Sequence, residues 1–158
     1  RMTSSASVGT THTPILTAPS THSGPRQYHG CAVENQNARV AAWIDAQPLE
    51  TLFLSAITVA EPRAGVALLP AGKRRSGLHE SLETRMLPPF AGRVLAFDLG
   101  CTQAYAALVA KARASGFAIA SADGHIAAVA VANGLAVATR DSGLFEAAGA
   151  AVINPWLR

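Results

Sequence analysis

Acidic side chains are few and unevenly spread in this chain: ten in 158 residues, none before Glu34 and no aspartate before Asp45. Any site built from carboxylates must therefore lie downstream of the first 33 residues. Cysteine is scarcer still. Cys31 and Cys101 stand far apart with no Cys-x-x-Cys pair, which excludes a disulfide framework and a zinc knuckle and fits a reduced, cytoplasmic protein. Long apolar runs are missing too. Stretches such as Ile126 to Ala132 fall far short of the roughly 20 residues a membrane span requires, and no basic stretch leads into an apolar signal core. Neither secretion nor membrane insertion is expected.

What is present suits one compact domain. A hydrophobic content of 49% in a chain of 158 residues is enough to bury a core. The net charge of +3 gives a mild bias toward anionic partners. Residues 1–37 are set apart by Ser, Thr, Gly, Pro and His, without sustained apolar periodicity. Only Pro14-Ile15-Leu16-Thr17 could make a short strand. The segment is read as atypical and poorly ordered, with the domain proper over residues 38–158. It is acid-poor like a transit peptide but carries only Arg1 and Arg26 and no amphipathic face, so it is not read as a targeting signal. His12, His22 and His29 fall there with Cys31 in no compact zinc pattern.

From Ala38 the pattern tightens. Val40, Trp43 and Ile44 mark one face of a short helix ending near Gln47-Pro48. Thr51 to Ser55 is β-prone, and Ser55 is placed to cap a helix through Ile57 and Ala60 and, beyond Pro62, Val66 to Leu69. Pro70-Ala71-Gly72 breaks the chain before an exposed helix from Lys73 to Leu87, stopped by Pro88-Pro89. Arg93 to Phe97 reads as a strand, with Asp98 as N-cap of an alanine-rich helix that stops at Gly116. Ser121-Ala122-Asp123 opens a helix closed by Asn133-Gly134, and Leu135 to Ala138 follows as a strand. Asp141-Ser142-Gly143 starts a short helix, and Ala150 to Ile153 is a last strand. Strands alternating with helices imply an α/β fold with a parallel sheet covered on both faces.

In open parallel sheets the active crevice lies outside the carboxyl ends of the strands. Asp98, Asp141 and Glu61 meet that condition, and Asp123 sits in the first turn of a helix. Each has an ordinary alternative: Asp98 as a cap, Asp123 as a helix-dipole partner, Asp141 as a turn initiator, Glu61 as a surface residue. Together they make a candidate set of hard oxygen ligands for a divalent cation. The basic run Lys73-Arg74-Arg75 is a weaker candidate for phosphate contact beside its reading as a solvated helix face.

Several motifs then occur in one order: Ser55-Ala-Ile-Thr-Val-Ala-Glu61, Arg63-Ala-Gly65, Phe97-Asp98, Ser121-Ala-Asp123, Ala138-Thr-Arg-Asp141 and Asn154-Pro-Trp156. This series, spanning about Ala38 to Arg158, resembles the PIN-domain toxins of bacterial VapBC-type toxin–antitoxin pairs, especially the FitB-like branch. The resemblance implies a PIN-like three-layer sandwich with its parallel β-sheet flanked by helices. It also implies a magnesium- or manganese-dependent endoribonuclease that cleaves RNA, pairs with a cognate antitoxin protein and forms a homodimer. On that resemblance Glu61, Asp123 and Asp141 are the metal-binding and catalytic residues, with Thr139 the supporting hydroxyl. Arg63, Arg140 and Lys73 would face the RNA backbone, which binds largely through charge.

Three departures accompany the resemblance. The family's first strand ends in Asp-Thr-Asn and supplies the first metal ligand. Here Ile15-Leu16 is the closest apolar pair, and Thr17-Ala18-Pro19-Ser20 offers only uncharged groups. Similarity resuming abruptly near Ala38 is the pattern a frameshifted or wrongly started reading frame would produce, and a chain of this sequence could lack its first, central strand. Pro62 stands where the family has leucine or isoleucine, and is expected to push Glu61 toward an extended conformation unless a kink absorbs the strain. Asp141 must act from three residues ahead of Leu144, where relatives place their last acid. The alternative is thus a catalytically impaired PIN-like module that binds an antitoxin and dimerises without cleaving RNA. A nucleotide-binding α/β domain fits the architecture but lacks a GxGxxG or P-loop motif.

Overall fold

A computed structural model describes residues 14–16 and 38–157. Five strands form one sheet: β1 (Pro14–Leu16), β2 (Phe53–Ser55), β3 (Val94–Leu95), β4 (Ala136–Ala138) and β5 (Val152–Ile153). Their order is β3-β2-β1-β4-β5, and every pairing is parallel. Parallel neighbours need crossovers, supplied here by α1 (Ala38–Asp45), α2 (Ala56–Ala67), α3 (Lys73–Ser81), α4 (Leu99–Ala114), α5 (Ser121–Ala132) and α6 (Ser142–Ala148). The α/β reading with a helix-flanked parallel sheet thus holds.

The expectation of a missing central strand does not hold. β1 lies between β2 and β4, pairing Leu16 with both Leu54 and Ala138. Two neighbours offering backbone hydrogen bonds on both sides can hold even three apolar residues in place. Pro14 is tolerated because it is the first strand residue, where its missing N–H does least harm. The sheet therefore takes its central strand from ahead of residue 38. The remainder of the N-terminal segment, with His12, His22, His29, Cys31 and the residues from Thr17, lies outside the described residues.

Most helix boundaries follow local signals in the sequence. Ser55 caps α2, accepting the Thr58 N–H at 2.9 Å while its hydroxyl pairs with that of Thr58 at 2.9 Å, and both residues are buried. Ser55→Ala removes a cap and one buried hydrogen-bond partner, so a loss of about 1–2 kcal/mol in urea unfolding is expected. Asp98 caps α4 through the Cys101 N–H at 3.2 Å. The core gathers where α4, α5 and α6 pack together beside β4, around Leu108, Ile126, Val129, Val137 and Phe145. Ala127, Ala128 and Ala130 have no exposed surface, which lets α5 lie close to its neighbours. The helix expected from Lys73 to Leu87 is α3 followed by a wider π turn over Leu82–Met86.

Candidate functional site

The register aligns the carboxyl ends of the strands: Leu16 pairs with Ala138, and Ala138 with Ile153. The chain order reverses direction at β1, so the crevice for a ligand is expected beside this strand and its neighbour β4. Thr139 follows β4 and is buried, its own N–H donating to the Ile153 carbonyl at 3.0 Å. Its hydroxyl accepts the Asp141 N–H at 3.2 Å. From the other side, the Asn154 side-chain amide donates to the Arg140 carbonyl at 3.2 Å, while the Asn154 oxygen accepts the Trp156 N–H at 3.0 Å. The Thr-Arg-Asp and Asn-Pro-Trp motifs are thus two halves of one backbone clamp. Asp141 occupies the N-cap position of α6 yet makes no side-chain capping bond, so its carboxylate is not used for capping.

Asp123 and Asp141 line the same open groove. Asp123 comes from the first turn of α5, where a negative charge is favoured by the exposed helix N–H groups. Glu61 approaches from α2, which packs against α5. Burial of its carboxyl end and, secondarily, the charge of Asp123 raise the Glu61 pKa above its ordinary value near 4.5. The distortion expected at Pro62 is absent: α2 continues from Ala56 to Ala67 with Pro62 inside it and Glu61 helical. Buried Val59 and Val66 anchor the helix on either side of the proline, so tertiary packing outweighs the lost backbone bond.

The sign of the Glu61 shift gives a prediction. A folded-state pKa above the unfolded one adds stability at pH below the ordinary carboxylate range, and this is lost as pH rises through that range toward the raised value. In chelator, Glu61→Gln is therefore expected to melt higher than the parent at neutral pH, with the gap closing below about pH 4. Melting curves at both pH values check this, and a gap that widens on acidification contradicts it. Millimolar magnesium is expected to narrow the neutral gap by raising the parent alone.

Behind Asp123 lies a small aromatic cluster. The Tyr105 ring stacks on His125 with centroids 4.8 Å apart, and Phe97 meets His125 edge-on at 4.7 Å. Gly124, between Asp123 and His125, is buried under Tyr105: a Cβ there would fall 2.9 Å from a ring carbon. Glycine is thus required by close approach, and Tyr105 from α4 fixes the first turn of α5 that carries Asp123.

The remaining candidates divide. Asp98 is exposed and acts as a cap, the Cys101 thiol and backbone N–H holding its carboxyl below the usual range. Arg63, expected to face RNA, makes a two-pronged ion pair with Glu83 at 2.7 and 2.8 Å. That pair raises Arg63 and lowers Glu83 through their hydrogen bonds. It lines a different groove, between α2 and α3, that shares no residue with the acidic one. Lys73 opens α3 on the exposed surface, and Arg140 is exposed beside Asp141.

Among the described residues no three His, Cys, Asp or Glu side chains come close enough together to enclose a metal ion. A magnesium-type cation does not demand such a cage, since it is held by one or two carboxylates with waters and substrate phosphates completing the shell. Glu61 and Asp123 suit that arrangement in kind: hard oxygens from separate helices whose like charges oppose each other. Two contributors escaped the sequence reading. Tyr105, within the alanine-rich helix, and Phe117, on the groove, belong to no motif that would mark them.

The PIN domain family model matches residues 30–150. The chain is 61% identical over 117 residues to VapC ribonuclease Y4jK of Sinorhizobium fredii, covering 74% of this chain and 84% of that protein. It is 55% identical over 120 residues to Toxin FitB of Neisseria gonorrhoeae, covering 76% of this chain and 86% of that one. A solved structure of FitAB bound to an IR36 DNA fragment superposes with a TM-score of 0.76 at 44% identity, covering 90% of this chain and 95% of that one.

Proposed function

The chain belongs to the PIN-domain family, and on that premise we propose that it is the endoribonuclease toxin of a toxin–antitoxin pair, hydrolysing RNA phosphodiester bonds with a magnesium or manganese ion. The observation that supports this reading is that Asp123 and Asp141 line one groove, while Glu61 approaches Asp123 from α2, which packs against α5, closely enough for the Asp123 charge to raise it. A divalent cation bound there would neutralise charge on the phosphate and acidify a bound water. Glu61 and Asp123 would hold it, with Asp141 at the adjoining wall and Thr139 fixing the Asp141 backbone. The groove's net negative charge repels bare phosphate, so the chain's own acids disfavour nucleic acid until their charge is offset. Arg140, exposed next to Asp141, is the cation best placed to draw the RNA backbone toward the groove. The Arg63–Glu83 pair is a seam between α2 and the turn after α3, and Arg63 has a smaller part in RNA binding than its sequence position implied.

Incubation with single-stranded RNA is expected to give cleavage that needs magnesium or manganese and stops on chelation. Cleavage indifferent to EDTA would dispose of the metal mechanism. Pairing with an antitoxin and self-association belong to the same proposal, as FitAB is itself a complex. Co-purification with the product of a short adjacent reading frame checks the pairing.

A second reading has its own support. No aspartate precedes Asp45, and no three metal-binding side chains cluster among the described residues. Both favour a module that binds its antitoxin without cleaving RNA. Antitoxin binding with no metal-dependent cleavage selects this reading.

A further inference from the structure

The rim of the acidic groove carries one feature the metal chemistry does not use. Phe117 lines it together with Asp123, Asp141 and the half-buried Ile119 and Leu144, and keeps 49% of its surface exposed. Its backbone is held firmly. The Phe117 N–H donates to the Ala112 carbonyl at 2.9 Å and the Gly116 N–H to the Arg113 carbonyl at 3.0 Å, with Gly116 at φ +79°. These two bonds make a Schellman closure of α4. In that motif the residue in the Phe117 position ordinarily packs its apolar side chain back onto the helix. Here about half of the residue's surface remains open to solvent.

We propose that Phe117 is a stacking platform for an unpaired nucleobase of the substrate, next to the phosphate presented to Asp123 and Asp141. The inference rests on the ribonuclease reading above and deepens it. Acids at the centre of the groove repel the RNA backbone, so affinity there must come partly from contacts that do not depend on charge. Base stacking on an aromatic face is such a contact. A protein partner is less well suited to the same ring. Protein interfaces draw on broad contiguous apolar patches, whereas here Ile119 and Leu144 in the same lining are half-buried and Phe117 is the one large apolar residue, among the described residues, that stands exposed on this groove. A single ring suffices for a single base.

The test uses the full chain and a short single-stranded RNA carrying 2-aminopurine, with calcium in place of magnesium, read by fluorescence quenching. Phe117→Ala is expected to abolish the quenching and weaken binding by about 5- to 150-fold, the range that base–aromatic stacking spans. Phe117→Trp is expected to bind within about twofold of the parent, since it preserves the aromatic face. Phe117→Leu should behave as alanine does, because it restores apolar bulk without a π-face. Melting curves confirm that each variant folds. Parent and Phe117→Ala binding alike overturns the inference while leaving the ribonuclease reading intact. Binding that depends on Phe117 without any metal-dependent cleavage sustains the inference and removes the ribonuclease reading. No RNA binding by the parent removes both. Altered self-association in Phe117→Ala with unchanged RNA binding overturns the inference and assigns the ring to a protein contact.

Discussion

Asp123→Asn is expected to reduce metal-dependent RNA cleavage by on the order of a hundredfold or more while leaving the fold intact. Metal-ion stabilisation of the transition state amounts to several kcal/mol, and each 1.4 kcal/mol or so is a factor of ten in rate. An amide keeps the size of the side chain but removes the charge that holds the cation. Stability is pulled two ways. The substitution loses a favourable interaction with the α5 N-terminus, about 0.3–1 kcal/mol, and relieves the repulsion that raises Glu61. The two oppose, so the melting temperature should hardly move. Titration of manganese supplies the companion measurement, with binding to the parent and little to the variant. Undiminished cleavage by Asp123→Asn would show that the acids are not the working site. The effect should also exceed that of Glu61→Gln. Asp123 lies on the groove wall with Asp141, whereas Glu61 reaches the site from the neighbouring helix α2 and keeps more of its surface in water.

Phe145→Ala is expected to destabilise the protein by about 3–5 kcal/mol, the usual range for emptying a fully buried aromatic site. Phe145 is 1% exposed and is the largest fully buried side chain among the described residues. It joins α6 to the core shared by α4, α5 and β4. A domain of this size has only about 5–15 kcal/mol in total, so the variant should sit near the edge of folding. The loss has a functional side. Asp141 immediately precedes α6, and the groove wall it occupies depends on that helix staying docked. Magnesium should therefore affect the variant's melting less than the parent's. Phe145→Leu keeps most of the volume and should lose clearly less. Urea denaturation separates the cases, and a cost below about 1.5 kcal/mol for alanine would mean that α6 is not packed as described.

Much of this chain could be read without a structure, and the readable parts share a cause. Ser55 and Asp98 cap helices because a short polar side chain can accept an N–H three residues on, wherever the rest of the protein lies. Asn133-Gly134 ends α5 for an equally local reason, with Gly134 at φ +67°. The alternation of strands and helices followed from periodicity, and the candidate carboxylates from the scarcity of acids. Where the reading failed, a long-range contact overruled a local preference. Pro62 disfavours a helix on its own terms, but α2 is docked on both sides of it. Pro14 to Thr17 could be read as a short strand, but its place at the centre of the sheet shows only in its pairing with β2 and β4. The ion pair of Arg63 with Glu83, twenty residues away, was likewise invisible to any local window. Phe117 and Tyr105 belong to no motif and gain significance only from what lies across from them.

The sequence by itself determined the series of elements and their caps and stops, because hydrogen bonds over three or four residues and apolar periodicity act within a short stretch of chain. Only the tertiary structure decided that Glu61 and Asp123, far apart in the chain, oppose each other, that Asp123 and Asp141 share one groove, and that a strand from the acid-free N-terminal stretch stands at the centre of the sheet. Those outcomes depend on how α2, α5 and the strand ends pack against one another. Packing is a property of the whole core, and no local window of sequence contains it.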